Sequence, residues 1–287
     1  MAVHDGHGLR TTVFFKGCPL RCVWCHNPDT LSFKKQLGYF THLCTQCGAC
    51  VEACSSGALS SPIGYTAEKC TLCGKCSESC PVSARVLFGE EWDAEALAKK
   101  VLADRDFFEA SGGGVTLSGG ECLSQIDFAV ELARIFFNEG ISVDIDTSGA
   151  VSFDAISRIL PYTDEFLYDI KAIAPDVHKK CTGRDNALIL ENLRKLDEFG
   201  AKVEIRYPFV PGYNDGECRK IGEFLSTLKN VKRIKVLAYH DFARSKYSAL
   251  GLADTLPIID VGRIDVQQAV DILASYGLKA INGLDGD

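Results

Sequence analysis

Thr11-Thr12-Val13-Phe14-Phe15-Lys16-Gly17-Cys18-Pro19-Leu20-Arg21-Cys22-Val23-Trp24-Cys25-His26-Asn27 is the stretch on which the reading of this chain turns. Its first third is a run of β-branched and aromatic residues, a strand signal that breaks at Gly17. The loop that follows carries cysteines at the spacing C-x3-C-x2-C. Three cysteines supply three ligands, so a four-iron cubane held by Cys18, Cys22 and Cys25 keeps one iron open. An open coordination position separates a reactive metal centre from a closed structural one.

The chain has 287 residues and 14 cysteines, a number that needs a reason. Disulfides are disfavoured in a reducing compartment, and a core this large needs no staples. Eleven of the cysteines fall between Cys18 and Cys80. After the first group, Cys44, Cys47, Cys50 and Cys54 form C-x2-C-x2-C-x3-C, and Cys70, Cys73, Cys76 and Cys80 repeat it 26 residues later. This is the signature of a bacterial two-cluster ferredoxin, in which the fourth cysteine of each run serves the other cluster. One [4Fe–4S] cluster is thus expected on Cys44, Cys47, Cys50 and Cys80, the other on Cys70, Cys73, Cys76 and Cys54. Zinc sites instead use C-x2-C pairs separated by a longer spacer. Gly48 and Gly74 stand where a tight loop must bring backbone N–H groups to cluster sulfurs. Cys122, Cys181 and Cys218 match no cluster spacing and read as free, partly buried thiols.

Composition sets the outer bounds. With 46% hydrophobic and 24% charged residues the chain is globular and not disordered. No apolar stretch approaches the ~20 residues of a membrane helix, and the N-terminus lacks the plan of a signal peptide, so a cytoplasmic location is expected. The net charge of −7 argues against a nucleic-acid partner.

Outside the cysteine-rich segment, short β-type runs alternate with amphipathic helical stretches, the pattern of an α/β fold with a parallel sheet. Strands are expected at Thr11–Phe15, Val115–Leu117, Ile141–Asp146, Glu165–Asp169, Lys202–Tyr207 and Arg233–Leu237. Helices are expected at Asp93–Asp104, Ile126–Asn138, Phe153–Leu160, Ala187–Phe199, Gly216–Leu228 and Asp265–Tyr276. Six such units form either an open doubly wound sheet or an incomplete barrel, and periodicity does not choose between them. The domain division that follows is residues 1–37 with 89–287, interrupted by a ferredoxin-like insert at 38–88.

Ligands of parallel α/β folds bind at the carboxyl ends of strands, and the remaining motifs fall there. The second strand runs into Ser118-Gly119-Gly120-Glu121, whose glycines admit a ligand close to the backbone and whose carboxylate can accept from an ammonium group. The third ends in Asp146-Thr147-Ser148-Gly149 and the fourth in Asp169-Ile170-Lys171. Two carboxylates there repel unless a cation, Lys171 or a bound metal ion, lies between them, or unless both are solvated loop charges. Arg206 on the fifth strand can pair with a carboxylate, and His240 after the sixth can hydrogen-bond or stack.

The C-x3-C-x2-C loop, with aromatic Trp24 before its last cysteine, resembles that of the radical S-adenosylmethionine enzymes. Within them, the chain is similar to the glycyl-radical-enzyme-activating enzymes. The shared stretches are His4-Asp5-Gly6 with Gly8 and Arg10, Thr12–Asn27, Ser111–Glu121, Tyr168–Lys171, Arg206–Gly212, and Tyr239-His240 with Lys246-Tyr247. The chain departs from the usual pattern at His7, Cys122 and Ala238.

The resemblance implies a partial (β/α)6 barrel of TIM type with an inserted ferredoxin-like domain. It implies that S-adenosylmethionine chelates the open iron and is contacted by Trp24, Cys25, His26, Gly119, Gly120, Glu121, Asp146, Thr147, Asp169, Ile170, Lys171, Arg206 and His240. A monovalent cation beside Asp146 and Asp169 is also implied. The implied activity is reductive cleavage of S-adenosylmethionine to a 5′-deoxyadenosyl radical that takes hydrogen from a backbone glycine of a partner glycyl radical enzyme. Two insert clusters would relay the electron, making three [4Fe–4S] clusters in all, with flavodoxin or ferredoxin as reductant. The competing readings are another radical S-adenosylmethionine enzyme acting on a small molecule or peptide, and a multi-cluster electron carrier, which has no use for an open iron.

Overall fold

The computed structural model describes Ala2 and residues 5–285, so His4 of the shared N-terminal stretch lies outside the described residues. The chain begins with β1 (Arg10–Phe15). An insert follows, built of β2 (Gln36–Tyr39), α1 (Ala49–Glu52), α2 (Lys75–Glu78) and β3 (Arg85–Phe88). After it come α3 (Ala94–Val101), α4 (Arg105–Ser111), β4 (Gly114–Gly119), α5 (Ile126–Asn138), β5 (Ser142–Thr147), α6 (Phe153–Ile159) and β6 (Glu165–Asp169). The last third holds α7 (Pro175–Thr182), α8 (Ala187–Glu198), β7 (Val203–Phe209), α9 (Cys218–Leu225), β8 (Val231–Ala238), α10 (Arg244–Ala249), α11 (Arg263–Ala274) and β9 (Ala280–Asn282).

The main sheet has the order β1-β4-β5-β6-β7-β8-β9, and every neighbouring pair is parallel. All six expected strands are present in sequence order, joined by a seventh, β9, that was not expected because it is only three residues long. The sheet does not close: β1 and β9 are its two edges. Among the described residues no helix is long and apolar enough to cross a membrane.

Strand alternation explains how the sheet is used. Val115, Leu117, Val143, Ile145, Ile205 and Val236 are fully buried in one core with Leu132 and Phe136 of α5, Ile156 of α6 and Leu193 of α8. Their neighbours along the strands, Thr116, Asp144, Glu204, Arg206 and Lys235, are buried too, and they are polar or charged. In a closed eight-stranded barrel branched apolar side chains fill the interior. Here the inner face carries a network of charge instead. Arg10 is 1% exposed, pairs with Asp144 at 3.2 Å and donates from Nε to Thr116 Oγ1 at 2.8 Å. Removing either partner would leave an uncompensated buried charge, a loss of about 3–5 kcal/mol.

The insert is tied off at its base. β2 and β3 pair antiparallel from Gln36↔Phe88 to Tyr39↔Arg85, so its ladder starts two residues before residue 38. Inside it the chain turns twice in the same way. Gly48 and Gly74 each adopt φ +84 and precede the short helices α1 and α2.

Candidate active site

A cavity of about 440 Å³ opens at the carboxyl ends of the strands. Cys18, Cys22 and Cys25 line it together with Trp24, His26, Gly119, Gly120, Asp146, Asp169, Lys171, Arg206 and His240. The loop that carries the three cysteines is held from several sides. Gly17 adopts φ +97 beneath the ring of Phe33, where a Cβ would lie 2.2 Å from Cε1. Arg21 and Val23 donate their backbone N–H groups to Thr182 O and Cys181 O of α7, at 2.8 and 2.9 Å. From α10, Tyr247 donates its hydroxyl to Cys25 O at 3.1 Å, and Lys246 pairs with Asp29 at 2.9 Å. The Lys246-Tyr247 pair of the shared pattern is therefore a clamp on the cysteine loop.

Burial pushes the thiols of Cys18 and Cys25 up to about 11 and that of Cys22 to about 12. Such thiols ionise only when a metal cation compensates the charge, and this donor set suits a cluster that displaces their protons.

The carboxylates at the strand ends have cations of their own. Lys171 Nζ lies 2.5 Å from Asp169 Oδ2; burial would lower this lysine, and Asp169 together with Cys22 and Cys18 more than offsets the loss. Arg206 lies 3.6 Å from both Asp5 and Asp146. Burial raises Asp146 to about 6, a rise limited by Arg206 and by the hydroxyl of Ser118, which donates to its Oδ2 at 2.6 Å. The alternative of solvated loop charge does not hold for Asp146, whose side chain is 20% exposed and engaged by both groups. The shared Asp-Gly-x-Gly-x-Arg turn also finds its reason: a Cβ on Gly6 would lie 2.2 Å from Asp144 Oδ2, and one on Gly8 would lie 2.6 Å from Gly113 N.

Three of the expected contact residues are not in the cavity wall: Glu121, Thr147 and Ile170. Glu121 is 0% exposed, and its carboxylate accepts from Leu123 N, Thr147 Oγ1, Ser148 N and Ser148 Oγ at 2.6–3.3 Å. Both oxygens are engaged by its own turn and by the strand-end loop after β5. Thr147 is spent on the same carboxylate, and Ile170 is 1% exposed in the core. Gly119 and Gly120 do face the cavity. A Cβ on Gly119 would meet Phe15 N at 2.3 Å, and one on Gly120 would meet Gly17 O at 2.5 Å.

His26 and His240 stack, with centroids 4.0 Å apart, and Phe242 stacks on the outer face of His240 at 4.4 Å. Burial, and then His240, push His26 down to about 4. Ser148 and Lys235 also line the cavity and were not expected there. Ser148 was legible in Asp-Thr-Ser-Gly; Lys235 sits mid-strand, where nothing in the sequence marks it.

Two smaller cavities lie in the insert. One is lined by Cys44, Cys47, Cys50 and Cys80, the other by Cys54, Cys70, Cys73 and Cys76, the crossed grouping read from the spacing. In each cavity three cysteines of one run and the last cysteine of the other line one common space. Gln46 and Leu72, at φ 59 and 54, direct their N–H groups to Cys44 Sγ and Cys70 Sγ at 3.4 Å. Cys122, Cys181 and Cys218 are 0%, 0% and 3% exposed, which corrects the expectation of partial burial: Cys122 and Cys218 pack in the main core and Cys181 beside Trp24, as small apolar groups.

Comparison with known proteins agrees with this geometry. The Radical SAM superfamily matches residues 60–225, and the 4Fe-4S binding domain family matches residues 39–60. The fold and the three-cysteine cavity thus define a radical S-adenosylmethionine enzyme. The trans-4-hydroxy-L-proline dehydratase activating enzyme of Clostridioides difficile is 45% identical over 257 residues, covering 87% of this chain and 85% of that one. The choline trimethylamine-lyase activating enzyme of Oleidesulfovibrio alaskensis is 41% identical, over 87% and 84% of the two chains, and the benzylsuccinate synthase activating enzyme of Thauera aromatica 34%, over 97% and 87%. A crystallised domain of the pyruvate-formate lyase-activating enzyme from Bacteroides vulgatus superposes with a TM-score of 0.51 at 28% identity, over 59% of this chain and 98% of that one. The chain belongs to the glycyl-radical-enzyme-activating enzymes.

Proposed function

We propose that this activating enzyme holds three [4Fe–4S] clusters, on Cys18, Cys22 and Cys25, on Cys44, Cys47, Cys50 and Cys80, and on Cys54, Cys70, Cys73 and Cys76. The observation that carries the reading is the sorting of eleven cysteines into three separate cavities, one of which has three sulfurs and the strand-end groups. When bound and reduced, the three-cysteine cluster supplies the electron that cleaves S-adenosylmethionine, and the 5′-deoxyadenosyl radical so formed takes hydrogen from a backbone glycine of the partner.

The chain's own groups do the rest. Gly119 and Gly120 present bare backbone to the methionine end of S-adenosylmethionine, because side chains there have no room. Lys171 and Arg206 balance Asp169 and Asp146, so the wall accepts a zwitterion with little net field of its own. A monovalent cation beside S-adenosylmethionine would be held by the carboxylates of Asp146 and Asp169. Trp24, 4% exposed, and the His26–His240 stack form the aromatic side of the cavity, suited to the adenosyl group. A low-potential one-electron donor, flavodoxin or ferredoxin, reduces the insert.

The partner is a glycyl radical enzyme of the dehydratase or lyase kind, for which the more similar relatives are named. Anaerobically reconstituted protein should contain about twelve irons, four per cubane. Mixed with S-adenosylmethionine, reductant and such a partner, it should produce a glycyl radical signal on the partner. About four irons would refute the insert assignment. Radical chemistry on a small molecule, with every candidate partner silent, would favour the alternative reading.

A further inference from the structure

The insert is a repeat with an offset of 26 residues, and the repeat extends beyond its cysteines. Tyr39 and Tyr65, Gly48 and Gly74, and Ala58 and Ala84 stand in equivalent places. The backbone follows, with Gly57 and Ser83 both left-handed at φ 65 and 51. Leu59 bridges Tyr65 as Arg85 pairs with Tyr39. By this equivalence Arg85 is the counterpart of Leu59, and there the symmetry fails: a buried apolar side chain in one half is a buried cation in the other.

Arg85 is 2% exposed. Its guanidinium lies 4.3 Å from the ring centroid of Tyr39 and 6.0 Å from that of Tyr65. Nη2 donates to Pro62 O at 2.8 Å, and Nε is buried without a protein partner. The side chain lines the cavity of Cys44, Cys47, Cys50 and Cys80 and is absent from the wall of the other. A buried cation without a carboxylate partner is costly unless something anionic faces it. A cubane carrying four thiolate ligands is such an anion, and it becomes more negative on reduction. A fixed positive charge and a free N–H beside it favour the reduced form.

The two cavities also differ in where they face. Thr71 and Leu72, from the Cys70–Cys73 loop, line a wide groove along β1 that they share with Phe15 and Lys16, just before Cys18. Thr45 and Gln46, their counterparts, do not. The arginine-free cavity is the one turned toward the barrel.

We propose that Arg85 makes the two insert clusters unequal, raising the reduction potential of the outer one, held by Cys44, Cys47, Cys50 and Cys80, above that of the inner one, so that an arriving electron rests on the outer cluster until the inner one passes it on. The step is a one-electron transfer from an external low-potential reductant, and no bond is made or broken. The proposal rests on the two-cluster reading of the insert.

The test is an electron-paramagnetic-resonance redox titration of the full-length chain in a Cys22→Ala background, which removes the barrel cluster, with dithionite as reductant. Iron content checks the underlying reading separately: about eight irons support it, and about four refute it. With eight irons, two midpoints should be resolved. Arg85→Gln and Arg85→Leu should lower the upper midpoint by more than the lower one and so narrow the gap, while Arg85→Lys should keep most of the separation. Unmoved midpoints in the neutral variants, or equal movement of both, would overturn the proposal. Iron loss in both neutral variants would make Arg85 a structural residue and overturn it as well.

Discussion

The imidazoles of His26 and His240 stack at 4.0 Å with an interplanar angle of 15°, joining the residue after Cys25 to the loop after β8. The pair spans the cavity mouth from the first strand's loop to that of the last long strand. Removing one ring of an aromatic pair costs about 0.5–1.5 kcal/mol. We expect His240→Ala to weaken S-adenosylmethionine binding by up to about tenfold while iron content is unchanged. Calorimetric titration of reconstituted protein measures this; unchanged affinity would remove His240 from the binding site.

Cys22 is the most strongly shifted of the three loop thiols, at about 12 through burial, and it belongs to no insert cavity. Cys22→Ala should hold about eight of twelve irons and form no 5′-deoxyadenosine with reductant. Chromatography of the reaction products decides the matter. Persistent cleavage would show that the catalytic cluster lies elsewhere.

Glu121 separates a structural role from a ligand role. Four donors converge on its carboxylate, and Glu121→Ala would leave them buried without an acceptor. The expected loss is at least about 3 kcal/mol, or roughly 6–12 °C in melting temperature for a domain of this size. Protein that still folds should bind S-adenosylmethionine with near-normal affinity. A stable variant that has lost binding would restore the carboxylate to the cavity.

His178 links stability to pH. It is 1% exposed in α7, with Nδ1 2.7 Å from Arg184 O, and burial lowers it from its usual value. The unfolded chain, titrating near pH 6.5, therefore binds this proton more readily than the folded one. The neutral ring's contribution is complete above about pH 6.5 and is lost as the pH falls through that value toward the folded one. Urea unfolding of the wild type and His178→Asn should show a difference that shrinks between pH 8 and pH 5.5. An equal difference at both ends would contradict the assignment.

The sheet and the crossed cysteine grouping were legible because both rest on local pattern: β-branched runs between helices, and cysteines at fixed spacing. Helix ends were less so. A helix expected at Gly216–Leu228 is confined to Cys218–Leu225, because Glu217 turns back to accept from Ile173 N and Ala174 N. Short helices such as α4 and α10 offer too few turns for a periodic signal. The ionic interior was harder still. Thr116, Asp144, Glu204 and Arg206 alternate with apolar residues as they would on a strand with one wet face, and only the assembly of the whole sheet buries that face. The engagement of Glu121 was not legible for the same kind of reason: its four donors come from a loop about 26 residues away as well as from its own turn.

β1 and β9 are the outer strands of the sheet, and among the described residues no ladder hydrogen bond spans the gap between them. A closed barrel can widen only by breaking such bonds. Here the two lips can part as far as the loops and helices flanking them yield, with every strand still paired to its neighbours. The enzyme's substrate is a length of another protein's main chain, and the two sides of its doorway are joined by side-chain contacts, the α10 clamp on the cysteine loop and the His26–His240 stack, in place of a ladder.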